Sequence, residues 1–226
     1  MRIAAEIKND IRELPDSNRD EIRHWLDVHQ DTQEIIELVV RLTQSYRIWW
    51  MLAEENSFKR YNEVQSEYLD FFEPLRHLLL WEGFFVIYGQ IFGHDFGGHR
   101  SKHIHALIRE IKVKNDALAS ALETKIKTNP VLGKIKTIRD KIGAHREAGL
   151  SPQRLLESLG VNRGDLDGAL SFAQEIICEV AEALGIEKAD DVRRRISACE
   201  DSTRTHTFRV LEVLDSDLTA YNAKVG

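Results

Sequence analysis

Residues 129–145 read N-P-V-L-G-K-I-K-T-I-R-D-K-I-G-A-H. Asn129 suits a helix N-cap and Pro130 the first helical position after it. Val131, Leu132, Ile135, Ile138 and Ile142 recur at helical spacing, so one stripe of the helix is apolar. Gly143 weakens the helix near its end, and His145 follows. On a regular helix Arg139 and His145 stand about 120° apart around the axis, with the isoleucine stripe between them. The two polar flanks converge only if the helix loosens at Gly143 or if a second copy packs on the seam. A twofold dimer would gather two Arg and two His around one cleft, because an isologous contact repeats each patch. Arg offers a rigid fork for a phosphate and His exchanges protons near neutral pH. Such a cleft suits cleavage of RNA without a metal. His takes the 2′-hydroxyl proton or protonates the leaving oxygen, and Arg steadies the developing charge. The plain alternative is a solvated helix end.

Working outward, 226 residues are enough for one sizeable core, and the composition, 42% hydrophobic and 30% charged, is that of a folded chain. With four prolines and almost no strand-like alternation, helix is expected nearly throughout. The fold class expected is all-α, over a single domain spanning 1–226. Cys178 and Cys199 form no metal or disulfide pattern and suit a reducing compartment. Met1 to Asp10 lacks a secretory hydrophobic region, so a cytoplasmic location is expected. The most apolar run, Leu78 to Phe92, is short and holds Glu82 and Gln90, which makes it a core helix and not a membrane span.

Net charge is −6, yet the charge is uneven. From His99 to Arg146 there are twelve Lys plus Arg against four Asp plus Glu, a local balance of +8, leaving −14 for the rest. A basic block in an acidic chain is a candidate polyanion face. Its alternative is a set of ordinary solvated helix faces.

Helices are expected over Ile3–Leu14, then from Ser17, with Asp20 as a capping box, to about Asp27. Asp31 with Glu34 opens a third, rich in apolar residues from Ile35 to Leu52. Trp49 and Trp50 in it could stack on bases, although core packing is the commoner role. Tyr61–Glu73 forms the next, with Pro74 kinking it or dividing it from Leu75–Phe92. That helix is apolar nearly all round, and Glu82 in it needs a partner or a wet face. Ser101 can cap a helix to about Lys114, and Asn115–Lys127 is helical in part. Ser151 and Pro152 start a short helix ending at Gly160, Asp165 opens another to Leu184, and a last one runs from about Lys188 to Asn222. His94, Asp95, His99, His103 and His105 could offer metal ligands, but Gly97 and Gly98 break the spacing and no zinc signature occurs. No metal and no cofactor are expected. Phosphate-loop, dinucleotide and nucleophile signatures are lacking.

Arg139-Asp140-Lys141-Ile142-Gly143-Ala144-His145 resembles the signature of HEPN domains, an Arg, a polar residue and, a short distance on, a His at the end of a helix. The order of segments before it is similar to HEPN proteins of the abortive-infection type. Leu78 to Phe92 supplies the aromatic-rich helix, His94–Arg100 the loop, Ile104 to Ile111 the leucine-bearing helix, and Ile138 to His145 the motif. The resemblance implies an up-and-down helical bundle, with a core over 32–174 and additional N- and C-terminal helices. It implies a homodimer sharing a metal-independent endoribonuclease site, in phage defence or a toxin–antitoxin system with an antitoxin protein as partner. Arg139, Asp140 and His145 map onto the catalytic positions, while Lys136, Lys141 and Arg146 would line the rim that binds RNA. Many members carry Asn where Asp140 stands, and many are non-catalytic interaction modules or partners of nucleotidyltransferases. No membrane partner is implied.

Overall fold

The computed structural model describes residues 16–53, 61–93, 103–145, 156–158 and 160–225. Among them every regular element is helical. No described helix is long and apolar enough to cross a membrane. The helix expected over Ile3–Leu14, the loop from His94 to Arg100, and Ser101, Ser151 and Pro152 lie outside the described residues.

Helix α1, Asp16–Ala53, runs unbroken for 38 residues. The division expected near Asp27–Asp31 does not occur, and Ser17 lies inside the helix instead of capping it. The reason is local. No glycine or proline occurs between Asp16 and Ala53. At the expected break, the Thr32 hydroxyl donates to the Val28 carbonyl at 2.8 Å and the Gln30 amide to Glu34 at 2.9 Å. Both bonds span four residues along the helix, so they fit a continuous helix at this point. Ile35, Ile36, Val39, Leu42 and Tyr46 then form its buried face.

Helix α2, Asn62–Glu67, is separated from α3, Leu69–Leu80, at Tyr68 (φ −105°, ψ 36°). Of the two outcomes expected at Pro74, a kink or a division, the division does not occur; the break falls at Tyr68. Pro74 sits inside α3, exposed. Its missing N–H frees one carbonyl, that of Asp70, and water at the surface can satisfy it.

Next come a π-helical segment, Trp81–Val86, and helix α4, Ile87–Ile91, on the same axis. The wider i→i+5 turn changes the burial period from 3.6 to nearly four. Leu80, Phe84 and Tyr88 are buried, as are Trp81 and Phe85, whereas Leu78, Glu82, Val86 and Gln90 are exposed. The run thus buries only part of its circumference, and Glu82 lies exposed, the wet face that is one of the two options for it. The π segment also brings this rod against α1. A Cβ on Gly83 would stand 2.5 Å from the Ser45 Oγ and 2.6 Å from its Cβ.

Helix α5, Ile104–Lys114, is capped by His103, whose Nδ1 accepts from the Ala106 N–H at 3.2 Å. Helix α6, Asp116–Thr128, is capped by the Asn115 side chain, which accepts from the Leu118 N–H at 3.0 Å. Helix α7 is Pro130–His145, α8 is Arg163–Ala183 and α9 is Ala189–Val225. Asn162 and Asp165 form a capping box at the start of α8. At its end Gly185, at φ 71°, lets the Ile186 N–H reach the Ala181 carbonyl at 3.1 Å.

Cross-chain pairs fix the topology. Tyr46 meets Asp167 and Thr43 meets Gln174, so α8 runs antiparallel to α1. Gln33 meets Glu187 and Arg195, and Arg47 meets Glu200, so α9 returns parallel to α1. One core joins Ile35–Tyr46 of α1 to the π segment, α4 to α8 and the first turns of α9. A second, at the far end, joins Leu52, Tyr61, Val64 and Phe72 to Leu211 and Leu218 of α9. Residues 32 and 174, the bounds of the expected core, both fall inside continuous helices.

In a solvated helix Gly→Ala stabilises by about 1 kcal/mol. Gly83→Ala is expected to do the opposite, lowering stability in urea unfolding by about 1–3 kcal/mol through overpacking. Adding Ser45→Gly is expected to recover much of that loss, because the clash lies on the Ser45 side chain.

Candidate functional site

Helix α7 starts as its sequence requires. The Asn129 side-chain oxygen accepts from the Val131 N–H at 3.0 Å and from the Leu132 N–H at 3.4 Å, and Pro130 is the first helical residue. Ile135 and Ile138 are 1% and 0% exposed, and Val131 and Leu132 pack half-buried on the same core. The seam therefore belongs, as far as Ile138, to the interior of its own protomer. It is not a surface waiting for a second copy. The contacts it makes inside, with the π segment, α4 and α8, already remove it from water.

The helix continues through Gly143 to His145. It does not loosen at the glycine, so the backbone positions of Arg139 and His145 keep their offset of about 120° and about 9 Å along the axis. The side chains of residues 139–145, including Arg139, Asp140, Lys141 and His145, lie outside the described residues, as does Arg146 altogether. Lys136 is exposed one turn before Arg139.

The basic block is less open than its sequence suggests. The Lys125 ammonium lies 2.9 Å from Glu175 and 2.7 Å from Glu179 of α8. Burial works against its charge, but the two carboxylates outweigh burial and hold the ammonium above its ordinary range. Lys134 reaches Asp165 of α8 at 3.2 Å and the Gly160 carbonyl at 3.4 Å. Lys112 faces Asp116 and Lys127 faces Glu123, each at 3.6 Å. Among the described residues, Lys112, Lys125, Lys127 and Lys134 are thus answered by carboxylates, and Glu175, Glu179 and Asp165 of these stand on α8, outside the block. Part of the candidate polyanion face is therefore neutralised by carboxylates.

The histidines divide in the same way. His103 is buried as the α5 cap, and its ring meets that of His105 edge-on at 5.8 Å. His105 is buried with Nδ1 3.3 Å from Glu123 Oε1. Among the described residues no three His, Cys, Asp or Glu side chains gather as a metal site. His94, Asp95 and His99 fall outside them.

One cluster escaped the sequence reading. The Tyr46 hydroxyl, on a fully buried ring, donates to Asp167 Oδ1 at 2.6 Å. Burial first, then the Asp167 carboxylate, pushes the phenol well above its ordinary range. Arg163 lies 3.3 Å from Asp167 and stacks on Trp50, its guanidinium carbon 3.2 Å from the ring centre. One face of Trp50 is therefore already covered, and Trp49 packs half-buried against the first core. Spacing along α1 and α8 hints at each half of this cluster, but nothing in the sequence joins Tyr46 to Asp167.

No family model, no curated protein and no solved structure matches this chain. Its reading rests on its own residues.

Asp165 ties α7 to the start of α8. The Asn162 N–H first, and then Lys134 against the cost of desolvation, hold its carboxyl below the usual 3.8. A carboxyl lowered in the folded state stabilises fully above its unfolded value and loses that contribution as pH falls through the native one. Asp165→Ala is expected to cost about 1–2 kcal/mol at neutral pH, the range of a lost cap. The gap from wild type is expected to close below pH 3.8 in urea titrations run across pH.

Proposed function

We propose that this chain acts on RNA as a HEPN-like, metal-independent endoribonuclease or RNA-binding protein, through the last two turns of α7. The observation that carries the reading is the placement of Arg139, Asp140 and His145 in motif order on one helix that runs to His145. Lys136, exposed just before them, supports a phosphate-facing rim with Lys141 and Arg146. In this reading the site is shared by two protomers. Because Ile135 and Ile138 are used internally, the copies would meet through the turn after Ile138, with Ile142 as the apolar contact. Meeting there would bring Arg139 of one protomer toward His145 of the other, which the offset on a single helix prevents.

The chemistry balances without a metal. One His145 takes the 2′-hydroxyl proton as that oxygen attacks phosphorus. The second returns a proton to the departing 5′ oxygen, leaving a cyclic phosphate and a 5′-hydroxyl. Arg139 would hold the phosphate oxygens, and Asp140 would orient Arg139 or the imidazole. A toxin or phage-defence role, with an antitoxin protein as partner in the cytoplasm, belongs to the same proposal.

A second reading is favoured by the inward seam and the neutralised lysines. Under it the chain is a non-catalytic helical interaction module or the partner of a nucleotidyltransferase. Cleavage of single-stranded RNA in EDTA separates the two. His145→Ala is expected to slow cleavage about 100-fold or more, the range for loss of a general acid or base. Equal rates in wild type and variant would remove His145 from the mechanism, and no cleavage by either would leave the interaction module.

A further inference from the structure

Lys125 of α6 is answered by more charge than it carries. Its ammonium lies 2.9 Å from Glu175 and 2.7 Å from Glu179, which stand four residues apart on α8. One carboxylate would neutralise it, and the second leaves the group net negative. Lys134 of α7 meets Asp165, at the start of α8, at 3.2 Å. Along this side of α8 two ammonium groups therefore face three carboxylates. Glu182, exposed and at helical spacing from Glu175 and Glu179, adds a fourth.

Stability gives little reason for the surplus. Ion pairs open to solvent contribute little, and two like charges four residues apart on a helix oppose each other. The effect on an approaching polyanion is larger. A phosphate within reach of Lys125 also comes within a Debye length, about 8 Å at physiological salt, of both carboxylates. Release of counterions drives phosphate binding, and a lysine that already holds carboxylates has little to release. Lys136 is placed differently, exposed on α7 just before the motif. We propose, resting on the RNA reading of α7, that Glu175 and Glu179 are specificity-determining residues which hold Lys125 away from phosphate, so that RNA is bound at the end of α7 and not across the α6–α8 side. They act through Lys125 and touch no substrate, which makes them positioning residues.

The test measures binding of the full chain to a fluorescent oligouridylate of about 12 nucleotides, a span that one small domain covers on a single strand. Its 2′ oxygens are methylated, so it cannot be cut by 2′-hydroxyl attack. Affinity is followed against salt. Glu175→Gln with Glu179→Gln is expected to tighten binding about threefold or more at low salt. It should also steepen the plot of log affinity against log salt by about 0.7, the value for one added phosphate contact on a single strand. Adding Lys125→Gln to that pair is expected to restore the wild-type slope. Asp215→Asn with Asp217→Asn makes the same change in net charge on α9 and is expected to leave the slope alone. Lys125→Gln in the otherwise native chain is expected to stay within about twofold of wild type, because the lysine is already held. Circular dichroism checks that each variant keeps its helix content. An unchanged slope in the Glu175/Glu179 variant, or the same steepening in the α9 variant, would overturn this inference and leave the RNA reading standing. So would a tenfold loss on Lys125→Gln alone, which needs no change at the carboxylates. Absence of binding by wild type and the Glu175/Glu179 variant alike would overturn the RNA reading and this inference with it.

Discussion

Ile135 and Ile138 lie inside the protomer, and that burial settles which faces of α7 remain for anything else. Two fully buried isoleucines are worth several kcal/mol in a chain whose total stability is of order 10 kcal/mol, so the helix cannot turn them outward to meet a partner. Once they point in, Lys134 is directed to the start of α8 and Lys136 to water. The last two turns, from Arg139 to His145, follow the buried part of the seam. The rest of the bundle serves this arrangement. The α1 rod supplies the floor of the core, the π segment and α4 press on it where Gly83 meets Ser45, and α8 closes over the lysine side.

Local rules recovered much of this fold. The cap at Asn129 and the helix end expected at Leu184 depend on residues a few positions apart, and each acts where its sequence places it, whereas the start expected at Asp165 lies earlier, with Asn162 as the cap. The errors arose where local rules met longer contacts. Ser17 and Asp31 look like helix starts, but a helix packed along its whole apolar face runs through such residues without stopping. Pro74 looks like a divider, but at the surface one unpaired carbonyl costs little. Leu75–Phe92 carries apolar residues nearly all round, yet Leu78 and Val86 stay exposed because the π segment sets a burial period near four.

The candidate site was harder to read for a related reason. Charge counted along the chain gave residues 99–146 a balance of +8, but charge acts through space. Glu175, Glu179 and Asp165 come from a distant helix and neutralise part of that block. Tyr46 and Asp167 are 121 residues apart and meet at 2.6 Å, a contact no spacing rule contains. The short motif of Arg139 and His145 lies on a helix that runs unbroken to His145, with Ile135 and Ile138 turned into the protomer.

The most direct test is the unfolding of Ile138→Ala across a hundredfold range of protein concentration, on the order of 1 to 100 μM. With the seam inside the protomer, the variant should lose about 2–5 kcal/mol, the same at every concentration. A variant that keeps the wild-type midpoint when dilute, and differs only where wild type associates, would contradict this. It would put the isoleucines between chains and return the seam to the surface.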